Sequence, residues 1–237
     1  MKEKMNTSIS LVMPFYNEIE YIRMTVAKAQ EVFDSMETDY EIILINDASF
    51  DGSENIAVEL SAQNPRIKVF HHEKNGGLGA ALKTGFQNAT KEIIVYTDLD
   101  MPFDFSLLKN AVTLLNKADV VHGYRIGKRE SLLRTIYSRT YNFLIRIIFG
   151  YKTNDINFAM TIFKRNVLNK LSLRANGSFI SAEFLLKSYY KGLKVMNIPV
   201  NFIQRKYGRS HLASLSNISR TIYEIIKYYP EIKSLTY

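Results

Sequence analysis

Short apolar runs alternate with stretches of helical periodicity along the first half of the chain. Ile9 to Pro14 reads as a strand, followed by the loop Phe15-Tyr16-Asn17-Glu18 and a helix from about Ile19 to Met36 that Asn17 can cap. Tyr40 to Asn46 is apolar almost throughout, as expected of a parallel strand buried on both faces. A polar octet, Asn46 to Ser53, then leads to a helix over Ser53 to Gln63, which Asn64-Pro65 ends before a strand at Arg66 to His71. An amphipathic helix carrying Leu78, Leu82 and Phe86 precedes the strand Ile93-Ile94-Val95-Tyr96-Thr97. A helix from Phe105 to Lys117 and a strand from Ala118 to Gly123 complete a β-α repeat of five strands. That repeat predicts an α/β chain with an open, mainly parallel sheet and helices on both faces.

The pattern changes after Gly123. Tyr124-Arg125-Ile126-Gly127-Lys128-Arg129 is a basic loop, and Ser131 to Phe149 is a helix with Leu132, Leu133, Ile136, Leu144 and Ile147 on one face and Arg134, Arg139 and Arg146 elsewhere. Such a helix suits a membrane interface, and equally a core with solvated arginines. Strands follow at Met160 to Phe163 and Val195 to Phe202, separated by a helix at Ser181 to Tyr190. The cationic loop Arg205-Lys206-Tyr207-Gly208-Arg209-Ser210-His211 is of a kind that grips phosphate. The last helix, about Leu215 to Tyr229, suits an interface or a core.

The candidate chemistry centres on Asp98-Leu99-Asp100, where a buried strand runs into two carboxylates. In a parallel sheet that end of a strand is where ligands bind. A regular strand would point the two carboxylates to opposite faces, so serving one ligand requires a turn, which Pro102 favours. Carboxylate oxygens suit Mg²⁺ or Mn²⁺ bridged to a diphosphate, and a solvated Asp-rich turn is the plainer alternative. In the octet, Asp51 and Ser53 fit helix capping, whereas Asp47, at the strand end, is as well placed for ligand contact. Asn75-Gly76-Gly77-Leu78-Gly79 fits neither G-x-G-x-x-G nor the Walker A pattern, because Leu82 stands where each needs glycine. Its small residues instead allow close packing and close backbone approach to a ligand.

Charge sharpens this picture. The 237 residues carry a net charge of +8, but residues 1–122 hold 11 Lys+Arg against 18 Asp+Glu, and residues 123–237 hold 20 against 5. An acidic half with a metal site and a basic half rich in arginine imply an anionic partner for the second half. The absence of Cys excludes disulfides and thiolate metal sites. The opening residues resemble a signal peptide only superficially, and no run reaches the roughly 18 apolar residues needed to span a bilayer.

Five stretches, in this order, resemble glycosyltransferase family 2, most closely its dolichyl-phosphate mannose synthase-like and polyprenyl-phosphate glycosyltransferase group. They are Pro14 to Glu18, Asn46 to Ser53, Asn75 to Gly79, Asp98 to Asp100, and Phe202 with Arg205, Gly208 and Ser210. The resemblance covers about residues 8 to 230. It implies one GT-A (Rossmann-like) domain over residues 1–237, with a nucleotide-sugar-binding half at 1–122 and a basic acceptor-side half at 123–237. By the same resemblance Pro14, Tyr16, Glu18, Asp47, Asp98 and Leu99 surround the nucleotide sugar, and Asp98 and Asp100 hold Mg²⁺ or Mn²⁺. Asp100, Arg125 and Arg205 then carry catalysis, and Arg134, Ser138 and His211 meet an acceptor phosphate. The sequence departs from the pattern at Asn46, Pro102, Ala159 and His211, which bears on donor identity more than on catalysis.

The implied reaction is inverting transfer of one sugar from a donor of GDP-mannose or UDP-glucose type to a polyprenyl or dolichyl phosphate. A phosphate acceptor is already an oxyanion near neutral pH and needs cations rather than a general base. A sugar-hydroxyl acceptor would need a carboxylate base, for which Asp155 and Glu183 are candidates. Processive polysaccharide synthases of the family carry Q-x-x-R-W, and this chain has no Trp. An inactive nucleotide-sugar or anionic-lipid binding module is the non-enzymatic reading. No compact nucleic-acid-reading motif is present. The expected setting is the cytoplasmic face of an anionic membrane, held peripherally, with room for a separate membrane-protein partner.

Overall fold

The computed structural model describes residues 7–127, 132–205, 207 and 215–236, without the side chains of residues 132–134, 215, 216 and 236. The elements run β1 (Ile9–Phe15), α1 (Ile22–Ser35), β2 (Tyr40–Asn46), α2 (Ser53–Gln63), β3 (Ile67–His71), α3 (Leu78–Asn88) and β4 (Ile93–Thr97). They continue with α4 (Leu108–Ala111), β5 (Val120–Ile126), α5 (Leu132–Phe149), β6 (Met160–Lys164), α6 (Ile180–Tyr190), β7 (Val195–Asn201) and α7 (Leu215–Lys233). The described strands form one sheet in the order β3-β2-β1-β4-β6-β5-β7.

Alternation along each strand divides the core into two layers. Leu11, Met13, Ile42 and Leu44 pack on one face with Val26 and Phe33 of α1 and with Phe105 and Leu108 around α4. Val12, Ile43, Ile45 and Ile94 face the other way, against Leu82 and Phe86 of α3, Ile145 of α5, Leu185 of α6 and Ile225 of α7. Both faces are covered, so the near-continuous apolar runs of β1, β2 and β4 have a physical reason.

The sheet is mainly parallel, with one insertion that the local pattern does not encode. β6 enters antiparallel between β4 and β5, pairing Thr97 with Met160 on one side and Val120 with Phe163 on the other. The long connection through α5 gives the chain room to reverse. Because β6 alone runs against the rest, the C-terminal ends of the other six strands gather at one edge of the sheet.

Two local expectations change. Asn17 does not cap α1; it takes φ +57°. Its backbone N–H donates to Ser49 Oγ (3.0 Å) and its side-chain oxygen accepts from Phe50 N–H (2.9 Å), tying the loop after β1 to the loop after β2. The helix expected over Phe105 to Lys117 is broken, with 3-10 turns at Phe105–Leu107 and Val112–Asn116 flanking α4. Asp104 starts the first turn by accepting Ser106 N–H at 2.9 Å.

Candidate active site

The turn that the Asp98-Leu99-Asp100 stretch requires is present. β4 stops at Thr97, and Met101 adopts φ +52° three residues after Asp98. Between the carboxylates, Leu99 is 1% exposed in the core and its carbonyl accepts Thr25 Oγ1 from α1 at 2.6 Å. That anchor faces inward and sends its two neighbours outward, so Asp98 and Asp100 line the same cavity of about 480 Å³. Tyr96 donates its hydroxyl to Asp98 Oδ1 at 3.1 Å. Burial, and next the charge of Asp100, push the Asp98 carboxyl up to about 7. Two carboxylates crowded in this way are the donor set a hard divalent cation relieves. No group of three or more His, Asp or Glu side chains able to hold a metal occurs among the described residues, so ligands beyond this pair would come from phosphate and water.

A cationic wall stands next to this turn. Ile203 N–H donates to the carbonyl of Pro102 at 2.9 Å, drawing the segment after β7 against the turn. Arg205 thereby pairs with Glu18 and comes within 3.7 Å of Asp100, with its guanidinium 5.4 Å from the Tyr21 ring centre. Burial raises the Glu18 carboxyl despite the opposing effect of Arg205. Pro14, Phe15 and Tyr16 from the end of β1 line the same cavity, so eight of the site residues expected from the resemblance meet here: Pro14, Tyr16, Glu18, Asp47, Asp98, Leu99, Asp100 and Arg205.

Asp47 lines the cavity but its carboxylate is engaged. Oδ1 accepts Gly76 N–H and Oδ2 accepts Gly77 N–H, both at 2.8 Å, and His72 Nδ1 lies 2.7 Å from Oδ1. Asp47 therefore holds the glycine loop ahead of α3. A second loop, ahead of α6, is held in the same manner. Glu224 of α7 accepts Asn176 and Gly177 N–H at 2.9 and 2.7 Å, and buried Glu183 accepts Arg174 and Ala175 N–H at 3.0 and 2.8 Å. Glu183 also takes Lys187 Nζ at 2.7 Å.

Four expected residues lie elsewhere or beyond description. Arg125 grips Asp155 with two hydrogen bonds, 2.5 and 3.2 Å, between the rings of Phe158 and Phe202, and is not among the residues lining the cavity. Ser138 sits on α5, bonded through its carbonyl to Asn142 at 2.8 Å, also away from the lining. The Arg134 side chain and all of His211 lie outside the described residues. Conversely, Ser178, Asn217 and Arg220 line the cavity although no motif pointed to them, and Asn75 does so from the Asn75-to-Gly79 stretch. The usable signal was the polar pair Asn217 and Arg220, three apart on one face of the last helix.

Comparison with known proteins bears on the family and the fold. The chain is 27% identical over 233 residues to a polyprenol monophosphomannose synthase of Mycolicibacterium smegmatis, covering 92% of this chain and 85% of the relative. Among solved structures, it is similar to glucosyl-3-phosphoglycerate synthase from Mycobacterium tuberculosis in complex with Mn²⁺, UDP and glucosyl-3-phosphoglycerate. The TM-score is 0.72 at 19% identity, over 96% of this chain and 81% of that one. The same enzyme with Mg²⁺ and UDP gives 0.71 at 16% identity, over 97% and 80%. These likenesses identify the architecture as GT-A. The family model "Glycosyl transferase family 2" matches residues 10–172, from the start of β1 past the carboxylate turn and β6, and the chain accordingly belongs to glycosyl transferase family 2.

Proposed function

We propose that this glycosyltransferase moves a single sugar from a nucleotide-diphosphate sugar to a polyprenyl phosphate. The observation that carries this reading is that each described carboxylate offered as a base, and each one lining the cavity outside the Asp98–Asp100 pair, already holds a partner. Asp155 is bound to Arg125, Glu183 to two backbone N–H groups and Lys187, Asp47 to the glycine loop, and Glu18 to Arg205. Asp98 and Asp100 remain for a divalent metal. A hydroxyl acceptor must lose a proton to a base. A phosphate acceptor has an oxyanion ready.

In that reading a phosphate oxygen of the acceptor attacks the anomeric carbon from the face opposite the departing diphosphate. The bond from that carbon to the diphosphate oxygen breaks, the electron pair leaves with the nucleotide, and the configuration inverts. Mg²⁺ or Mn²⁺, when bound at Asp98 and Asp100, supplies charge neutralisation of the leaving diphosphate. Arg205 adds a guanidinium beside that pair. The name of the M. smegmatis relative supports mannose and a polyprenol acceptor, while the solved structural neighbours carry UDP. The donor is thus of GDP-mannose or UDP-glucose type. The reading keeps residues 1–122 as the nucleotide-sugar side and residues 123–237 as the acceptor side, with Arg134, Ser138 and His211 toward the lipid phosphate.

A membrane surface fits the same half. Ile136, Phe143, Leu144 and Ile147 of α5 and Ile222, Tyr223, Ile226 and Tyr229 of α7 are exposed, and Phe149 and Tyr229 join the two helices with ring centres 5.7 Å apart. No described helix is long and apolar enough to cross a membrane. We read α5 and α7 as lying against an anionic bilayer on its cytoplasmic side, held by apolar contact and by arginine and lysine.

The test is transfer of radiolabelled mannose from GDP-mannose, or glucose from UDP-glucose, to polyprenyl phosphate with Mn²⁺. Transfer by wild type that persists in Asp155→Asn and Glu183→Gln is expected, after correction for folded protein. A carboxylate variant that binds donor normally but loses about 10²-fold or more in turnover would point to a hydroxyl acceptor instead. Flotation with anionic liposomes, strongest at low salt, checks the surface assignment.

A further inference from the structure

We infer that Arg220 is a phosphate-binding residue of the donor cavity, delivered by α7 through a socket between the two glycine loops; this rests on the nucleotide-sugar reading of that cavity. The glycine loop before α3 matched neither phosphate-binding pattern, and its hydrogen bonds explain why. Gly76 and Gly77 donate their N–H groups to Asp47, and Gly79 donates to Asn176 O at 2.8 Å. The loop before α6 likewise spends its Asn176 and Gly177 N–H groups on Glu224. These backbone donors are turned toward the protein.

The glycines make room for a side chain. A Cβ at Gly77 would lie 2.8 Å from Arg220 Nη1 and 2.7 Å from Asn176 O. One at Gly177 would lie 3.1 Å from Arg220 Nε and 2.7 Å from Glu224 Oε2. At Gly77 the Asn176 carbonyl is backbone and cannot give way, so that position needs glycine, whereas at Gly177 a side chain would press on the Glu224 carboxylate and shift Arg220 by a few tenths of an ångström. Gly77 also sits at φ +92°, which disfavours any L side chain. Within this socket, Arg220 Nη2 donates to the carbonyl of Gly76 at 2.7 Å, which orients the guanidinium.

The charge balance of the cavity gives that guanidinium a task. Four carboxylates and two guanidiniums line it. Arg205 is engaged with Glu18 and Asp100, whereas the nearest carboxylate to Arg220, Glu224 at 3.9 Å, is not part of the lining. Arg220 keeps 38% of its side-chain surface exposed, and a guanidinium has five N–H donors in a fork that fits phosphate oxygens. The phosphate comes from the donor's diphosphate or from the lipid acceptor.

Binding and kinetics of Arg220→Gln and Arg220→Lys in the full chain separate these sources. Titration calorimetry with Mn²⁺ compares a nucleoside, its monophosphate and its diphosphate, in the guanosine and uridine series. For a donor phosphate, Arg220→Gln weakens the diphosphate about tenfold or more and leaves the nucleoside within about twofold, and Arg220→Lys recovers part of the loss. For an acceptor phosphate, diphosphate binding is unchanged and KM for polyprenyl phosphate rises about tenfold. An equal loss for nucleoside and diphosphate would mean that Arg220 only shapes the loops, and unchanged constants throughout would equally overturn the inference. Should Arg220→Gln fail to fold, Arg220→Lys carries the same comparison, because it retains the charge but not the fork. A wild-type chain that binds no nucleoside diphosphate overturns the nucleotide-sugar reading and this assignment together; a binding wild type with indifferent variants overturns this assignment alone.

Discussion

The two ends of the sheet treat a carboxylate in opposite ways. At the N-terminal end, Glu41 of β2 accepts Ser10 Oγ at 2.6 Å, Thr90 N–H at 2.7 Å and Lys68 Nζ at 2.6 Å. Burial pushes this carboxyl up, but Lys68, Ser10 and Thr90 outweigh it and hold it at about 2. At the C-terminal end, Asp98 is pushed up to about 7 by burial and by Asp100, although Tyr96 donates its hydroxyl to it. One end satisfies its charge and stabilises the fold. The other leaves charge crowded until a cation and a phosphate ligand arrive, which is how a binding site differs from scaffold built of the same residue type.

The largest test of this contrast is Asp100→Ala. It should lower transfer by about 10³-fold or more, since metal stabilisation of the leaving diphosphate is worth several kcal/mol. Because it also relieves repulsion, its melting temperature should not fall. Calorimetric titration of nucleoside diphosphate with Mn²⁺, alongside a thermal melt, checks both halves. A destabilised variant with ordinary activity would reverse the roles assigned to the two ends.

Glu183 ranks next, as a carboxylate near the cavity that behaves like scaffold. It is fully buried, and Lys187, 2% exposed at its side chain, is shared between Glu183 and Glu231, each at 2.7 Å. Glu183→Gln breaks a buried ion pair, for which about 3–5 kcal/mol of lost stability is expected. A denaturant melt measures the loss. A loss in turnover at full stability would instead return Glu183 to the list of bases.

Glu41 supplies the third test, through pH. Its folded-state pKa lies below the unfolded value, so its contribution is present above about pH 4.5 and is lost as pH falls toward 2. The shift corresponds to about 3 kcal/mol. Glu41→Gln should therefore cost stability at pH 7 and make the melt flatter between pH 5 and 2 than that of wild type. Equal pH slopes in the two proteins would contradict it.

These contrasts also show why parts of the molecule were legible in sequence and others were not. β4 and its carboxylates could be read because a buried strand ending in Asp98 is a local pattern, and the turn followed from the need to face one ligand. The antiparallel insertion of β6 could not, since its apolar residues Met160 to Phe163 suit either neighbour and either direction. Arg220 was hidden for a different reason. Its partner Gly76 lies 144 positions away, and a single arginine on an amphipathic helix carries no mark of the loop it will meet. Arg125 illustrates the converse: a basic loop suggested a phosphate contact, but burial of Asp155 beside it supplies a carboxylate partner that charge counting along the chain does not reveal.

The smallest expected effect concerns Asp98 itself. Its folded-state pKa is raised, so the folded chain holds a proton that the unfolded chain has released between about pH 4 and 7, and stability from this group declines as pH rises through that window. Above pH 7 Asp98 is ionised beside Asp100 and its repulsion is fully expressed. Asp98→Asn removes that charge while keeping the shape and an acceptor for Tyr96. The cavity is open and Arg205 is near, so screening reduces the gain to about 1–2 kcal/mol at pH 8, and less at pH 5 where wild type is already protonated. Mn²⁺ with nucleoside diphosphate should invert the ranking, because it stabilises wild type by mass action and has lost a ligand in the variant. Thermal melts of both proteins at pH 5 and pH 8, with and without Mn²⁺ and nucleotide, measure the crossing. If Asp98→Asn is no more stable at pH 8 than wild type, the carboxylate pair stores no electrostatic stress, and the difference between the two ends of the sheet lies in geometry alone.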